Sequence, residues 1–600
     1  MKEEIPDDEI LKIDIKQTNL VGGRKGAFII VERPNNLSKE NKERKKELTE
    51  KTFEAINNMI FECKGDLTVG WIASIIKEKK EEGKDILDLT NFGMIVLTDF
   101  RFIFHLSVDN SKKENFKEDF FEIPYLLIKE IKKEKISKGT SLIISLIDGT
   151  EWKFLLSNEN ENNEDLFKRL KNKAINNRKE LLKFPKTFNN YLKIFEKEFN
   201  GWEIYNFRKE FERQGLELDD KDFPLRISNK NENFGFIASY PKYLIEPKKI
   251  DDKILENALN FRSEKRVPTL TYYYKNDLNK GTKKLISGIW RSSQVASGLW
   301  GSKDVGDIKL LNEISELGDK LYIFDARPKE DAFMQKVGGY GSENVNNYDP
   351  NPEYIYCEIK GIRFSKSAFN KIKKLCNDKE IMENNNFLSE LEDSGWINFI
   401  IKVLKTSTKI SKLVMEGNNI LVHCSEGWDR TPQLVSISQI LLDPYFRTFE
   451  GFAVLFEKDF VSFGHKFAIR SGITENEFKK KTNQVILQYL DCVYQLLMQF
   501  PSEFEFTSEF LLFIAKYYNT NLFGTFLFDN EKQREEKHAK TTTASIWTYL
   551  LGEHFENKEK YLNRLYDKEK VTKILTPHYA YYDYVLWTDY FLRNNIYAEK

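Results

Sequence analysis

One stretch, NNILVHCSEGWDRTPQLVSISQILLDPYF over residues 418 to 446, narrows what this chain can fold into more than any other. NNILVHC is an apolar, β-prone run, and TPQLVSISQILL carries apolar residues at helical spacing until Pro444. Thr431 is suited to the N-cap and Pro432 to the first helical position. A strand end therefore passes into a helix start through the loop Ser425 to Arg430. Elsewhere in this half, KLYIFDA reads as a strand and SEFLLFIAKYY as an amphipathic helix, the alternation of an α/β domain with a mostly parallel sheet.

Such a junction makes an anion site. Successive backbone N–H groups from Ser425 through Glu426, Gly427, Trp428 and Asp429 to Arg430 can point inward, and the helix dipole adds positive potential. In the same field a cysteine pKa falls from about 8.5 to below neutral, so Cys424 is expected as a thiolate. Arg430 can hold two phosphoryl oxygens in a planar fork, which a lysine ammonium does less well. The chemistry that fits is phosphoryl transfer to sulfur followed by hydrolysis. His423 is expected to hold the loop and tune the thiolate, and the Thr431 hydroxyl to assist collapse of the phosphocysteine. Asp429 ranks above Glu426 as the acid that protonates the leaving alkoxide. The blander alternatives are a buried structural thiol at Cys424, a carboxylate at Asp429 that only pairs with a loop cation, and a solvated rim charge at Glu426.

Composition sets the limits around this site. At 600 residues the chain exceeds one core and suggests two or more domains, although one large α/β unit could take up much of the length. Basic and acidic residues balance at 93 each, so no domain-wide basic field points to nucleic acid. MKEEIPDDEI has no apolar h-region, and no apolar stretch reaches the ~18 residues that span a bilayer, so a soluble, intracellular protein is expected. Cys63, Cys357, Cys376, Cys424 and Cys492 are odd in number and lack CxxC spacing, which suits neither a disulfide framework nor a zinc site. No metal or other cofactor is implied.

The first third reads as β-rich. FGMIVLTDFRFIFHLSV alternates apolar and polar residues, and SLIISLIDGTEWKFLL has two strand-like runs about Asp148-Gly149, a hairpin signal. A small antiparallel barrel or sandwich is expected, carrying the polar charge run of residues 34–53 as a loop or solvated helix. EDLFKRLKNKAINNRKELL has helical spacing, and a boundary before NGWEIYNF, near residue 200, divides the chain into domains 1–190 and 191–600. The high aromatic content, 14 per cent, is expected to fill core in the last third rather than form a ligand platform.

HCSEGWDRT followed by LLDPYFRTFEGFAVLFEKDFVSFGHKF resembles the myotubularin family of phosphoinositide 3-phosphatases, whose loop usually reads HCSDGWDRT. NGWEIYNFRKEFERQGL, FRSEKRVPTL, FDARP with the later GGYGSE, QFPSEFEF and NLFGTFL resemble family segments in the same order, and the β-rich third resembles a PH-GRAM domain. The likeness is most specific from residue 200 to about 530. It implies a PH-GRAM-like barrel or sandwich followed by a large α/β cysteine-phosphatase domain, an α+β multidomain chain. It further implies removal of the 3-phosphate from phosphatidylinositol 3-phosphate and 3,5-bisphosphate without a metal, at endosomal or other phosphoinositide-bearing membranes.

Within that resemblance Cys424 matches the nucleophile, Arg430 the phosphate-binding arginine and Asp429 the acid. Lys466 stands where the family usually has an arginine, and Arg470 keeps the second; both are expected to meet the substrate's other phosphates, a solvated face being the alternative. Gln335 and Gly361 stand where asparagines are usual, Gly361 on the next strand, so inositol recognition is expected to be altered. Oligomerisation with itself or with family members is left open. A protein tyrosine phosphatase and a non-catalytic phosphoinositide-binding scaffold are the competing readings.

Overall fold

Four strands of one sheet end level with one another, and that shared edge builds the rest of the molecule's chemistry. The computed structural model describes residues 199–275, 279–280, 283–377, 386–471, 482–520, 522–552 and 558–592. In the first third it describes 11–14, 28–31, 66–81, 84–97, 101–106, 120–136, 139–146, 151–156 and 163–176. The chain divides into two compact units, Met1–Tyr191 with Asn519–Leu522, and Leu192–Tyr518 with Phe523–Lys600.

In the second unit the five-stranded sheet consists of β1 (Thr269–Tyr274), β2 (Ser287–Ser292), β3 (Leu321–Asp325), β4 (Glu353–Tyr356) and β5 (Asn419–His423). They lie in the order β1-β2-β5-β3-β4, with β1 antiparallel at one edge and the others parallel. Register brings Ser292, His423, Asp325 and Tyr356 to one row, so the connections after all four parallel strands leave from a single crest. On one face Leu310, Leu311 and Ile314 of α1 (Val305–Leu317) join Trp290, Ile323 and Leu421 in the core. On the other, α3 (Trp396–Met415) packs against α4 (Arg430–Leu442) and both meet β5. Every residue of α4 from Thr431 to Leu442 is buried, so this helix is a central strut without a solvent face.

The helix begins two residues earlier than its sequence signals predict. Asp429 is the N-cap and Arg430 the first helical residue, with no side-chain capping bond, so Thr431 and Pro432 lie inside the first turn. The Thr431 hydroxyl is thereby released from capping, and Gly361 falls in the connection after β4 rather than on a strand.

The first unit is built on a mainly antiparallel sheet. Among the described residues seven of its strands run in the order Phe120–Pro124, Arg101–Leu106, Lys84–Leu97, Asp66–Glu81, Glu151–Leu156, Gly139–Leu146 and Ile128–Ile136, and Phe28–Val31, itself antiparallel to Leu11–Asp14, joins Asp66–Glu81 in parallel. Gly139–Leu146 and Glu151–Leu156 pair antiparallel on either side of Asp148-Gly149, and the helix Asn163–Lys171 follows. The turn itself, the charge run 34–53 and Cys63 lie outside the described residues. In the last third the aromatic side chains do fill core: Phe504, Phe506, Phe510, Phe526, Trp547 and Trp587 are all fully buried.

Candidate active site

Cys424 is the first residue past the end of β5, and the loop from it to Arg430 folds over the crest of the sheet. Its curvature depends on Gly427, whose φ is +77° and whose added Cβ would lie 2.3 Å from the Ser292 carbonyl oxygen. Two buried arginines fix the orientation of this turn: Arg266 Nη2 and Arg291 Nη2 both donate to the Gly427 carbonyl, at 3.2 and 3.0 Å. On the other side of the same residue the Gly427 N–H donates to Cys424 Sγ at 3.2 Å. Two more anchors complete the loop. The Gln294 N–H donates to the Ser425 carbonyl at 2.9 Å, and His465 Nδ1 donates to the Trp428 carbonyl at 2.7 Å. Burial pushes His465 down to about 4, so it serves as a neutral donor.

The electrostatics favour an anion at the base of this loop. Burial alone would raise the Cys424 thiol, but Arg430 and the Thr431 hydroxyl outweigh it and bring it below its ordinary value. Arg430 reaches across the loop, donating from Nη2 to Ser425 Oγ at 3.3 Å and from Nη1 to the Ile359 carbonyl at 3.1 Å. Arg291 is matched by Asp459 at 3.0 Å, whereas Arg266, fully buried, is held among the described residues by the Ser239, Gly427 and Phe463 oxygens and by the Tyr240 and Trp428 rings at 4.2 and 5.7 Å, with no ion pair. Burial brings Arg266 down to about 10, so it still carries its charge at neutral pH. A buried cation without a carboxylate leaves its field to whatever anion lies nearest, here the thiolate and any phosphate above it.

Around this base stand the acids. Asp429 is buried and held by Arg470 through Nε at 3.0 Å and Nη2 at 2.6 Å, with His465 Nδ1 at 3.5 Å. Burial pushes its carboxyl up, yet Arg470 outweighs that and holds it below the usual range. Glu426 behaves oppositely: burial and the neighbouring Asp429 raise it, with no ion pair among the described residues. Arg470 and Lys466 are not a solvated face. The Arg470 side chain is 10% exposed against Asp429, and Lys466 Nζ stands 4.5 Å from the centroid of the Trp428 ring.

Beneath the loop His423 is fully buried, with Nδ1 donating to the Cys424 carbonyl at 3.1 Å and Nε2 lying 3.2 Å from Glu343 Oε2. Burial would lower its pKa, but Glu343 and Asp325 raise it, while Glu343 is held well below the carboxylate range by His423 and Arg262 against its own burial. Arg262 joins Glu343 at 2.6 Å to Asp307 at 2.7 Å. Beside them Arg327 pairs with Asp325 at 2.7 Å and donates to Gln294 Oε1, and Gln294 Nε2 donates to Gln335 Oε1 at 3.4 Å. Gln335 thus reaches the site's edge from the exposed side of α2 (Lys329–Val337).

All the sequence-derived site residues meet around one loop: Cys424 to Thr431 compose it with His423 beneath, and Lys466, Arg470 and Gln335 flank it. The residues that sequence reasoning missed are the positioning set Arg262, Arg266, Arg291, Gln294, Arg327 and Glu343. Arg262, Arg266, Arg327 and Glu343 lie in FRSEKRVPTL, FDARP and GGYGSE, segments noted for their resemblance without a role for these residues, and Arg291 and Arg327 were signalled also by their place at the end of apolar, strand-like runs.

A strand, a loop with five residues between cysteine and arginine, and a buried helix on a parallel sheet define the cysteine-dependent phosphatase class. Residues 185–535 match the Myotubularin-like phosphatase domain. The chain is 34% identical to myotubularin of Xenopus laevis over 485 residues, covering 79% of this chain and 76% of that protein. It is 36% identical to phosphatidylinositol-3,5-bisphosphate 3-phosphatase MTMR6 of Mus musculus over 393 residues, 65% of this chain and 60% of that one. To phosphatidylinositol-3-phosphate phosphatase MTMR7 of Homo sapiens it is 36% identical over 384 residues, 63% of this chain and 55% of that one. The chain belongs to the myotubularin family.

Proposed function

We propose that the protein is a phosphoinositide 3-phosphatase that hydrolyses the 3-phosphate of phosphatidylinositol 3-phosphate and 3,5-bisphosphate through a phosphocysteine. The observation that carries this reading is the thiol lowered by Arg430 and Thr431 at the base of an amide-lined loop. The names of the MTMR6 and MTMR7 relatives support the substrate class.

In the first step Cys424 Sγ attacks phosphorus, the bond from phosphorus to the inositol oxygen breaks, and that oxygen takes a proton. In the second, water attacks the phosphocysteine, releasing phosphate and restoring the thiolate, with Thr431 hydrogen-bonding the departing sulfur. The Gly427 amide, which faces Cys424 Sγ, and the Arg430 fork hold the equatorial oxygens as charge builds.

Asp429 is our choice for the acid, although Arg470 holds it ionised in the resting site. A second phosphate or the arriving substrate competes for Arg470. As that pairing weakens, the Asp429 carboxyl rises, and the proton is taken up where the alkoxide will need it. Lys466 supplies a further charge beside Trp428 without a planar fork, and Gln335 lies within reach of the inositol ring.

Among the described residues no helix is long and apolar enough to cross a membrane. We read the enzyme as peripheral on phosphoinositide-bearing membranes such as endosomes, with residues 1–190 as a PH-GRAM-like domain and 191–600 as the phosphatase domain. The test is phosphate release from a panel of phosphoinositides and phosphotyrosine peptides, with Cys424→Ser as the blank. Release confined to 3-phosphorylated lipids, and lost by about 10⁴-fold or more in the blank, is expected. Faster turnover of the peptides would transfer the assignment to a tyrosine phosphatase, and equal turnover in the blank would remove Cys424 from the chemistry.

A further inference from the structure

Apart from the loop, the second unit holds a cavity of about 400 Å³, within the ~300–1,000 Å³ of small-ligand sites. It shares no residue with the catalytic loop. Trp202, Tyr205, Phe207 and Tyr243 line it, with the Phe207 and Tyr243 rings 5.8 Å apart. The Trp202 indole is fixed in this wall by its Nε1–H, which donates to the Thr543 carbonyl at 2.9 Å.

Two acids face the same space. Glu457, at the start of the turn Glu457–Ser462, is 8% exposed, and its Oε1 accepts the Trp547 indole N–H at 2.7 Å. Glu457 Oε2 and the carboxyl of Glu531, first residue of the helix Glu531–Glu536, take no hydrogen bond or ion pair among the described residues. The deeper cations of the cavity are engaged elsewhere. Lys242 pairs with Glu535 at 2.8 Å, and Arg534 directs Nη1 and Nη2 to the Val461, Thr525 and Phe528 carbonyls. His538 and Lys540 stand exposed on the rim. Burial prevails over the fields of Arg534 and Lys540, pushing Glu457 up to about 7 and raising Glu531.

We propose that this cavity binds a small organic cation, an ammonium or amidinium on an apolar body of about phenyl size, with its charge on Glu457 Oε2 and Glu531 and its body against the aromatic wall. A bound cation supplies the partner that the two carboxylates lack, and the rings add the attraction of their π faces. An anion would meet both acids at close range, and a neutral ligand would desolvate them without a counter-charge. A metal ion would need further oxygen donors where the rings stand.

The test is isothermal titration calorimetry of the full chain with benzylamine and, as its uncharged analogue, benzyl alcohol. At pH 8 benzylamine is expected to bind one site with a dissociation constant of about 1 mM or tighter, the affinity open to a fragment of that size, and the alcohol at least about tenfold more weakly. Glu457→Gln, which keeps an acceptor for Trp547, and Glu531→Gln should each weaken benzylamine about tenfold. A bound cation draws the Glu457 carboxyl back below 7, so affinity should rise roughly tenfold from pH 6 to pH 8, a gain lost in Glu457→Gln and kept in His538→Ala. Equal binding of the amine and the alcohol would overturn the proposal and leave an apolar cavity. So would benzylamine binding that neither glutamine variant weakens, or no saturable binding at all. A pH gain that vanishes in His538→Ala would overturn the pairing with Glu457.

Discussion

Asp429 in the loop and Glu457 at the turn after the helix Phe449–Phe456 are both carboxylates withdrawn from water, with opposite outcomes. Asp429 faces the Arg470 fork and is held below its ordinary pKa. Glu457 receives the Trp547 Nε1–H at 2.7 Å and is pushed up to about 7. The nearby Arg534 does not rescue it, because its nitrogens donate to the Val461, Thr525 and Phe528 carbonyls. Asp491 makes the same point: it collects three neutral donors, from Trp396, Gln495 and Tyr584, and still rises to about 6.

Burial raises every carboxyl, and neutral hydrogen bonds recover only part of that cost. At Asp429 the directed Arg470 guanidinium recovers the rest. On the loop side of the sheet Arg470 and Arg430 face Asp429 and Cys424 and favour their charged forms, whereas Glu426, which has no ion pair among the described residues, rises. In the helical layer behind it Glu457 and Asp491 have no such partner among the described residues and drift toward neutrality.

The largest expected break in this contrast is at Arg430. Replacement by lysine removes the fork while keeping a point charge near the thiol, so kcat/KM should fall about 10³-fold while alkylation of Cys424 by iodoacetamide shifts only slightly to higher pH. A loss of two- or three-fold with an unmoved alkylation profile would make Arg430 peripheral.

Next is Asp429→Asn. Turnover of the inositol lipid should fall about 10²-fold, while an aryl phosphate, whose leaving group hardly needs a proton, should change little. Equal losses on both substrates would take the acid role from Asp429 and point to Glu426, whose pKa is already raised.

Glu457→Gln tests the other side. The folded pKa of about 7 lies above the unfolded value of 4.5, so Glu457 is harmless below 4.5 and costs stability as pH rises from there through 7. Glutamine keeps an acceptor for Trp547 without the charge. At pH 8 the variant should be more stable than the unsubstituted protein by on the order of 2 kcal/mol in urea unfolding, and the gap should close toward pH 4.5. A variant less stable at pH 8 would mean that Glu457 is compensated after all.

The smallest effect is expected at Lys466. Lys466→Arg should raise kcat/KM for the 3,5-bisphosphate relative to the 3-monophosphate by about 1 kcal/mol, because a fork replaces a point charge in a partly wet place. An unmoved ratio would detach Lys466 from the second phosphate. Arg470 is less suited to this comparison, since removing it also unpairs Asp429.

Much of the site was legible because its signals are local. A β-prone run, a glycine whose positive φ lets the loop turn, and a helix-prone run follow one another within thirty residues, so β5, the loop and α4 could each be read. The helix start was misjudged because the best capping residue, Thr431, lies beside the sulfur instead of closing the first turn, and a functional site overrides capping preference. Lys466 and Arg470 were found through the resemblance; their pairing with Trp428 and Asp429 was not, because a charged side chain in sequence does not show what it faces.

The sequence by itself determined the candidate nucleophile, the arginine beside it and the strand–loop–helix frame, since each depends on neighbours a few residues away. Only the tertiary structure decided how the loop is held and charged. Arg266 and Arg291 precede Gly427 by 161 and 136 residues, yet both close on its carbonyl. They arrive there because parallel strands with crossover connections bring the ends of β2, β3, β4 and β5 to one edge, where distant segments share a single low-dielectric site. Whether a buried acid is ionised follows from which cation that packing delivers, and residue type alone does not carry that information.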